Sequence, residues 1–399
     1  MSTATAGHPA REPADDLAAG RRLAIEASGW GEPFRIVQPR NACFWLLLWG
    51  LGIGATHLIR YFAVGVGAYG TGLGIGIVAF TLYTIPWLFL LGHHNRYTSL
   101  PPKLFAVAFA WGALASAFWM ALPANTAILS LYGKNFGYGW AGDWGAGLTA
   151  PFTEETAKAT ALVLLIGLAP RVVRSPYDGL MIGAFAGLGF QIFEDVLYAY
   201  NNAATGFGLD QAATAWKIVA VRGLAGLTGH VLFSAVFCAG LMWLLGRGGP
   251  GHRLRGLLFV VAALFLHGGW DDAAALGTVL FGEAGPVILM GLMVVVDLAV
   301  LWLAFRLAAP QEKAWIRAIL APETASGLLT DTEVRAASGD REARRAHLKA
   351  QPDRRHRRTA RHVLASADDL AKELALSGGE DSPDVLHARE ETARLRALA

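Results

Sequence analysis

Residues 43–64 read CFWLLLWGLGIGATHLIRYFAV, with Arg60 as the single Asp, Glu, Lys or Arg among them. An α-helix rises about 1.5 Å per residue, so about 20 apolar residues cross the roughly 30 Å hydrocarbon core of a bilayer. This run is expected to span a membrane. Working outward from it, similar runs lie near 69–91, 103–123, 145–168, 179–200, 221–246, 256–279 and 285–308. They are continuously apolar and do not alternate, which excludes a transmembrane β-barrel. The expected fold is all-α: a polytopic membrane bundle of about eight transmembrane helices.

Charge is distributed to match. Hydrophobic residues make up 54% of the 399 positions and charged residues 16%, against about 25% charged in soluble proteins; the mean hydropathy is +0.39. Of the 34 basic and 31 acidic residues, 10 lie in 1–41 and 31 in 310–399, which leaves 24 for the 268 residues between. The expected organisation is a polar N-terminal segment (1–41), a membrane domain (42–309) and a charged tail (310–399). The tail is rich in Ala, Leu, Arg and Glu and is interrupted at Gly339, Pro352, Gly378–Gly379 and Pro383. It is expected to be helical or partly disordered. Its basic cluster, Arg354, Arg355, Arg357, Arg358 and Arg361, reads as a solvated face or as a contact for anionic lipid or a cytosolic partner.

A net charge of +3 gives no reason to expect nucleic acid, and the bilayer is the expected partner. Cys43 and Cys238 lie inside apolar runs and form no disulfide framework or zinc-finger spacing. Residues 1–41 lack the apolar core of a cleavable signal, so the first span is expected to direct insertion. One set of span flanks carries Arg35 and Arg40, Arg96 and Lys103, Arg171 and Arg174, then Arg247, Arg253, Arg255, Arg306, Lys313 and Arg317. The opposite loops carry Lys134 and Lys217, with Arg222 just inside the sixth run. The positive-inside rule then places both termini in the cytoplasm of a multi-pass cell-membrane protein.

Ionisable side chains within a bilayer are costly and mark function by default. Here they are Glu154, Glu155 and Lys158 in the fourth run, Glu194 and Asp195 in the fifth, His230 in the sixth, His267, Asp271 and Asp272 in the seventh, and Asp297 in the eighth. Counting helical rise from the outer ends puts Glu154 and His230 about 14 Å deep, Glu194 about 9 Å, Asp271 about 12 Å and His267 about 18 Å. Four helices thus bring polar groups into one outer slab. Glu154 and Lys158 share a helix face, as do His267 and Asp271. Gly223, Gly226 and His230 are expected on one stripe of the sixth helix, and Gly183 and Gly187 on one stripe of the fifth. Taken singly, Glu154–Lys158 reads equally as a structural ion pair and His230 as an interhelical hydrogen-bonder. His57 and Arg60 read as interfacial anchors, and His93 and His94 as solvated. Arg222 reads as a helix-end anchor or as a partner of Glu194 or Asp195, while Asp297 has no partner in this reading.

Carboxylates and histidines brought together in this way can hydrolyse an amide by two routes. A Glu can act as general base while His and Asp side chains stabilise the oxyanion. Alternatively, Glu and His can bind a divalent metal that acidifies water. There is no HExxH motif, so a zincin site is excluded.

Glu154-Glu155-Thr156-Ala157-Lys158 matches an EExxK pattern. It is followed in order by Gly189-Phe190-Gln191-Ile192-Phe193-Glu194-Asp195, by Gly229-His230 and by His267-Gly268-Gly269-Trp270-Asp271. Over about 145–275 this series resembles the PrsW-type intramembrane proteases, relatives of the CAAX-processing endopeptidases. The resemblance implies cleavage of membrane-anchored proteins near the extracytoplasmic side, with anti-sigma-factor-like substrates. It implies Glu154 as general base with Glu155 supporting it, and His230 and His267 polarising water and the scissile carbonyl. Lys158, Glu194 and Arg222 are supporting residues in this reading. Asp271 stands where the relatives carry Asn, so orientation of His267 suits it better than oxyanion binding. A metal such as zinc, if present, would be held by Glu154, His230 and His267. The competing readings are an ion-coupled transporter using the same cluster, against which no inverted repeat is visible between 43–168 and 179–308, and a non-catalytic scaffold whose tail binds a partner.

Overall fold

A computed structural model describes residues 13–398, so the expected N-terminal segment lies partly outside the described residues. Among the described residues the chain is helical without a strand. The helices are α1 (Pro13–Ser28), α2 (Ala42–Ala63), α3 (Val66–Asn95), α4 (Pro102–Ala110), α5 (Leu122–Phe136), α6 (Tyr138–Leu168), α7 (Pro176–Thr205) and α8 (Gln211–Ala225). They continue with α9 (His230–Leu244), α10 (Arg253–Asp271), α11 (Ala273–Phe281), α12 (Gly285–Ala325), α13 (Asp331–Ala337), α14 (Arg341–Lys349), α15 (Arg354–Leu376) and α16 (Pro383–Arg396). The chain divides into two compact units, one of residues 33–95 and 100–309, the other of residues 13–32, 96–99 and 310–398.

Capping chemistry sets several helix starts. The Asn41 side chain accepts the Cys43 N–H at 3.0 Å to open α2. At α7, Ser175 and Asp178 form a reciprocal capping box with Pro176 in the first turn, which satisfies amides that the helix leaves unpaired. Between α4 and α5, residues Trp111–Ala121 form a π-helical segment. The third run therefore continues to Phe136 rather than ending at 123.

Among the described residues, seven segments are long and apolar enough to cross a membrane: Ala42–Ala63, Val66–Asn95, Pro102–Phe136, Pro176–Thr205, Gln211–Leu244, Arg253–Asp271 and Ala273–Ala325. The chain is a multi-pass membrane protein. The expected figure of eight is not reached on that measure. The remaining run lies in α6, 31 residues long, where Glu154, Glu155 and Lys158 interrupt the apolar character.

α7 is the centre of the membrane unit, with most of its residues buried. It packs against α9, α3, the π-helical segment, α4, α8 and α6. Its contact with α9 is close because Gly183 and Gly187 lie against the backbone of Ser234 and His230, where a Cβ would collide. Large apolar side chains such as Trp49, Phe89, Phe265 and Val287 face outward from α2, α3, α10 and α12, as a lipid-facing surface requires.

The sixth span is not one continuous helix. α8 ends at Ala225, Gly226–Thr228 form a 3₁₀ turn, and α9 starts at His230 after Gly229. Glycine's poor helix propensity favours a break at Gly226 and Gly229, so Gly223, Gly226 and His230 do not form one helical stripe. His230 instead sits in the first turn of a new helix. The seventh run is likewise divided at Asp272, between α10 and α11.

The second unit has its own apolar core, which includes Trp30, Ile316, Ile319, Leu320, Leu370, Leu374 and Val385. Glu323 pairs with Arg21 at 2.6 Å and with Arg389 at 2.8 Å, and Arg21 also donates to the Ile319 carbonyl at 2.8 Å. The described tail is helical apart from short connections.

Candidate active site

The ionisable residues of α6, α7, α8, α9 and α10 meet. Glu154, Glu155 and Lys158 project from α6, Glu194 and Asp195 from α7, Arg222 from α8, His230 from α9, and His267 and Asp271 from α10. Glu154, Glu155, Lys158 and His267 are at most 3% exposed. Close packing positions them: Gly187 lets α7 reach the His230 backbone, and Gly268 lies against the Gly147 carbonyl, drawing α10 onto α6 beside His267. The Gly147 N–H also donates to Asp272 at 2.8 Å.

Glu154 is at the focus. Its Oε2 lies 3.6 Å from His230 Nδ1, 3.6 Å from His267 Nε2 and 3.5 Å from Lys158 Nζ. Its Oε1 accepts a hydrogen bond from Asn125 Nδ2 at 3.0 Å. Each histidine has a carboxylate behind it. His230 Nε2 meets Glu194 at 2.9 Å, and His267 Nδ1 meets Glu155 at 3.0 Å. The ring nitrogen left over on each points toward Glu154 Oε2. Such carboxylate–histidine pairs fix ring orientation and raise basicity.

Lys158 Nζ bridges Glu155 at 2.7 Å and His230 Nδ1 at 3.2 Å and lies over the Phe190 ring. Ser234 donates to Glu155 Oε2 at 2.8 Å. Phe233 stacks on the His267 ring with centroids 5.0 Å apart. Arg222 clamps both Glu194 and Asp195, at 2.5 Å each, so the two partners offered by the sequence are both taken. Asp271 lies 3.5 Å from His267 Nε2 and lines the cavity. The opposite ring nitrogen is held by Glu155, so the orienting contact expected of Asp271 is shared.

Glu154, Glu194, Arg222, His230 and Asp271 open onto a cavity of about 500 Å³, lined also by Trp270 and by apolar residues of the π-helical segment and α5, whereas Glu155, Lys158, Asp195 and His267 do not line it. Five carboxylates (Glu154, Glu155, Glu194, Asp195, Asp271) face two fixed cations (Lys158, Arg222) and two histidines. Buried charge of one sign needs compensation by protons or a cation.

Metal fit can be judged from the donors. One ligand atom each from Glu154, His230 and His267 lies within 4.8 Å of the others. Among the described residues, Glu154 Oε2 and His267 Nε2 make no hydrogen bond although buried. Two histidines and a glutamate form a donor set used for catalytic zinc. The residues therefore fit a divalent ion, with Glu194 and Glu155 as supports for its histidines.

Asn125 and Ser234 were not singled out from sequence. Asn125 lies two residues past the end of the third run as read, and its carboxamide in an apolar stretch is the signal that could have found it. Thr153 Oγ1 donates in turn to Asn125 Oδ1. Asp297 on α12 is fully buried, and neither carboxylate oxygen has a hydrogen-bond partner among the described residues. It does not line the cavity. His57 and Arg60 are exposed on α2.

Fold and site together define a polytopic helical membrane protein with a buried glutamate–histidine cluster. A family model described as PrsW family intramembrane metalloprotease matches residues 100–303, just over half of the chain, and the chain belongs to that family. It is accordingly a membrane protease acting on a protein substrate in the bilayer. No curated protein and no solved structure matches the chain.

Proposed function

We propose that the cavity at Glu154 hydrolyses a peptide bond of a membrane-anchored protein near its extracytoplasmic end, in a cell-membrane enzyme with both termini cytoplasmic. The observation that carries this reading is the convergence on Glu154 Oε2 of one ring nitrogen from each histidine, both at 3.6 Å, with Oε1 tied to Asn125. The distribution of Arg and Lys at the span ends supports the topology, and the family resemblance supports anti-sigma-factor-like substrates.

Glu154, His230 and His267 would hold a divalent ion, zinc by the chemistry of the set. Such an ion, when bound, supplies Lewis acidity and acidifies water. The chain's own groups do the rest. Glu154 is the proton acceptor for the attacking water and returns a proton to the leaving amide nitrogen. His230, held by Glu194, and His267, held by Glu155, keep their inner nitrogens fixed toward Glu154, where they would be ligands when an ion is bound and donors to the developing oxyanion when none is. Lys158 balances Glu155, and Arg222 keeps Glu194 in place. Asp271 and Trp270 form the cavity wall beside His267.

Separate Glu154→Ala, His230→Ala and His267→Ala variants, assayed on a membrane-anchored substrate in proteoliposomes, should each lose about 10²-fold or more in rate. Unchanged cleavage by all three would remove the reading. Elemental analysis tests the ion: about one equivalent of zinc is expected in the wild type and under about a tenth in His230→Ala. Cleavage that survives a chelator in metal-free protein would leave a glutamate–histidine mechanism instead.

A further inference from the structure

A second hollow, of about 550 Å³, lies next to the catalytic cavity. His57 and Tyr61 of α2 form one side, and Pro123, Thr126, Ala127 and Ser130 of α5 form the other. α2 packs along the π-helical segment and α5 packs along α6, and the groove opens between α2 and α5. Phe118, Leu122 and Thr126 line both this groove and the catalytic cavity. Tyr61 reaches from the groove wall to donate to Asn201 at 2.8 Å, and Asn201 lines the cavity. The two spaces are therefore neighbours across a single layer of side chains.

The lining is mixed, with His57, Tyr61, Thr126 and Ser130 set among apolar residues. His57 and Ser130 place polar groups in this lining, beside Thr126, whose hydroxyl donates to the Leu122 carbonyl at 2.7 Å, and lipid tails offer such groups no hydrogen bond. An intact helix has its backbone satisfied internally and hides its amides. A peptide bond can be attacked only after local unwinding, and unwound amides in a membrane need partners. The groove supplies such partners immediately before the catalytic cavity.

We propose that the groove between α2 and α5 seats an extended segment of the membrane-anchored polypeptide as it passes to Glu154. This rests on the protease reading and adds the route and conformation of the substrate. Ala127 and Ser130 line the groove alone, whereas Thr126 borders both spaces.

The test uses the full chain carrying Glu154→Gln, reconstituted in proteoliposomes, with benzoylphenylalanine at the position of Ala127, of Ser130, or of Val163 as a control on the exposed side of α6. The probe is a biotinylated single-span peptide, a Leu/Ala segment with a Gly/Ser stretch at its outer end. Crosslinking at 127 and 130 should exceed that at 163 by about tenfold, the factor that a difference of about 1.4 kcal/mol in binding gives. In the otherwise wild-type chain, Ala127→Trp should lower the ratio of membrane-peptide to short-peptide cleavage by about tenfold. Crosslinking no greater than at 163, or adducts with lipid alone, overturns the groove. Strong crosslinking without any cleavage by the wild type keeps the groove and overturns the protease assignment; cleavage without crosslinking does the reverse.

Discussion

Asn125 shows how a single uncharged side chain can organise a charged site. It holds Glu154 Oε1 at 3.0 Å and is itself held by Thr153, which leaves Oε2 to face the histidines. Asn125→Ala should lower the cleavage rate by about 10–100-fold, the usual cost of losing such a support. The KM should change little, and activity per bound metal should fall with it. Measuring kcat and KM on purified protein checks this, and a purely structural role would lower the melting temperature instead. The charged members of the site were legible as ionisable residues stranded in apolar runs, because the bilayer makes each of them costly. Asn125 and Ser234 were not, since uncharged polar residues are ordinary packing groups in membrane helices. Depth counting grouped residues that the fold brings together but could not assign Glu155 to His267 and Glu194 to His230, because those pairings depend on helix rotation.

At the scale of elements, the path of the chain through Gly226 and Gly229 decides where His230 lies. Hydropathy reads 221–246 as one run because it registers composition and not backbone direction; the break puts His230 at the start of α9, against Gly187. Gly187→Ala would drive a methyl group into the His230 carbonyl. It should destabilise the bundle by about 1–3 kcal/mol and depress activity by displacing the ring from Glu154. Thermal unfolding in detergent together with the cleavage rate measures both effects. In the second unit, Asp340 caps α14 by accepting the Ala343 and Glu342 amides at 3.1 Å each. The Ala343 amide first, then the Arg335 guanidinium and last the Glu342 amide hold its carboxyl below the ordinary 3.8. A depressed folded-state value means that the cap contributes fully above the ordinary value and is lost as the pH falls below it. Asp340→Ala should cost about 1 kcal/mol near neutral pH, and acid should shrink that difference.

At the scale of the whole molecule, the uneven charge count separated the membrane spans from a polar tail, since only an apolar sequence can fill the bilayer. It did not show that α1 joins the tail in one packed unit. Arg21 reaches Glu323 across 302 positions of sequence, a pairing that no local pattern announces. Glu323 is 3% exposed and stands between Arg21 and Arg389. Glu323→Ala leaves two guanidinium groups without their shared carboxylate, one of them buried, and should destabilise that unit by about 3–5 kcal/mol. Limited proteolysis should then release fragments from 310–398 sooner than in the wild type, while an unchanged digestion pattern would contradict the pairing's importance.

The most direct test of the account is the cleavage of a membrane-anchored peptide by purified protein in H₂¹⁸O, wild type beside Glu154→Gln, with the products weighed by mass spectrometry. The account predicts two fragments with the label in one new carboxyl group, and a rate lower by about 10²-fold or more in the near-isosteric variant. Equal rates in the two proteins, or fragments without the label, would contradict it.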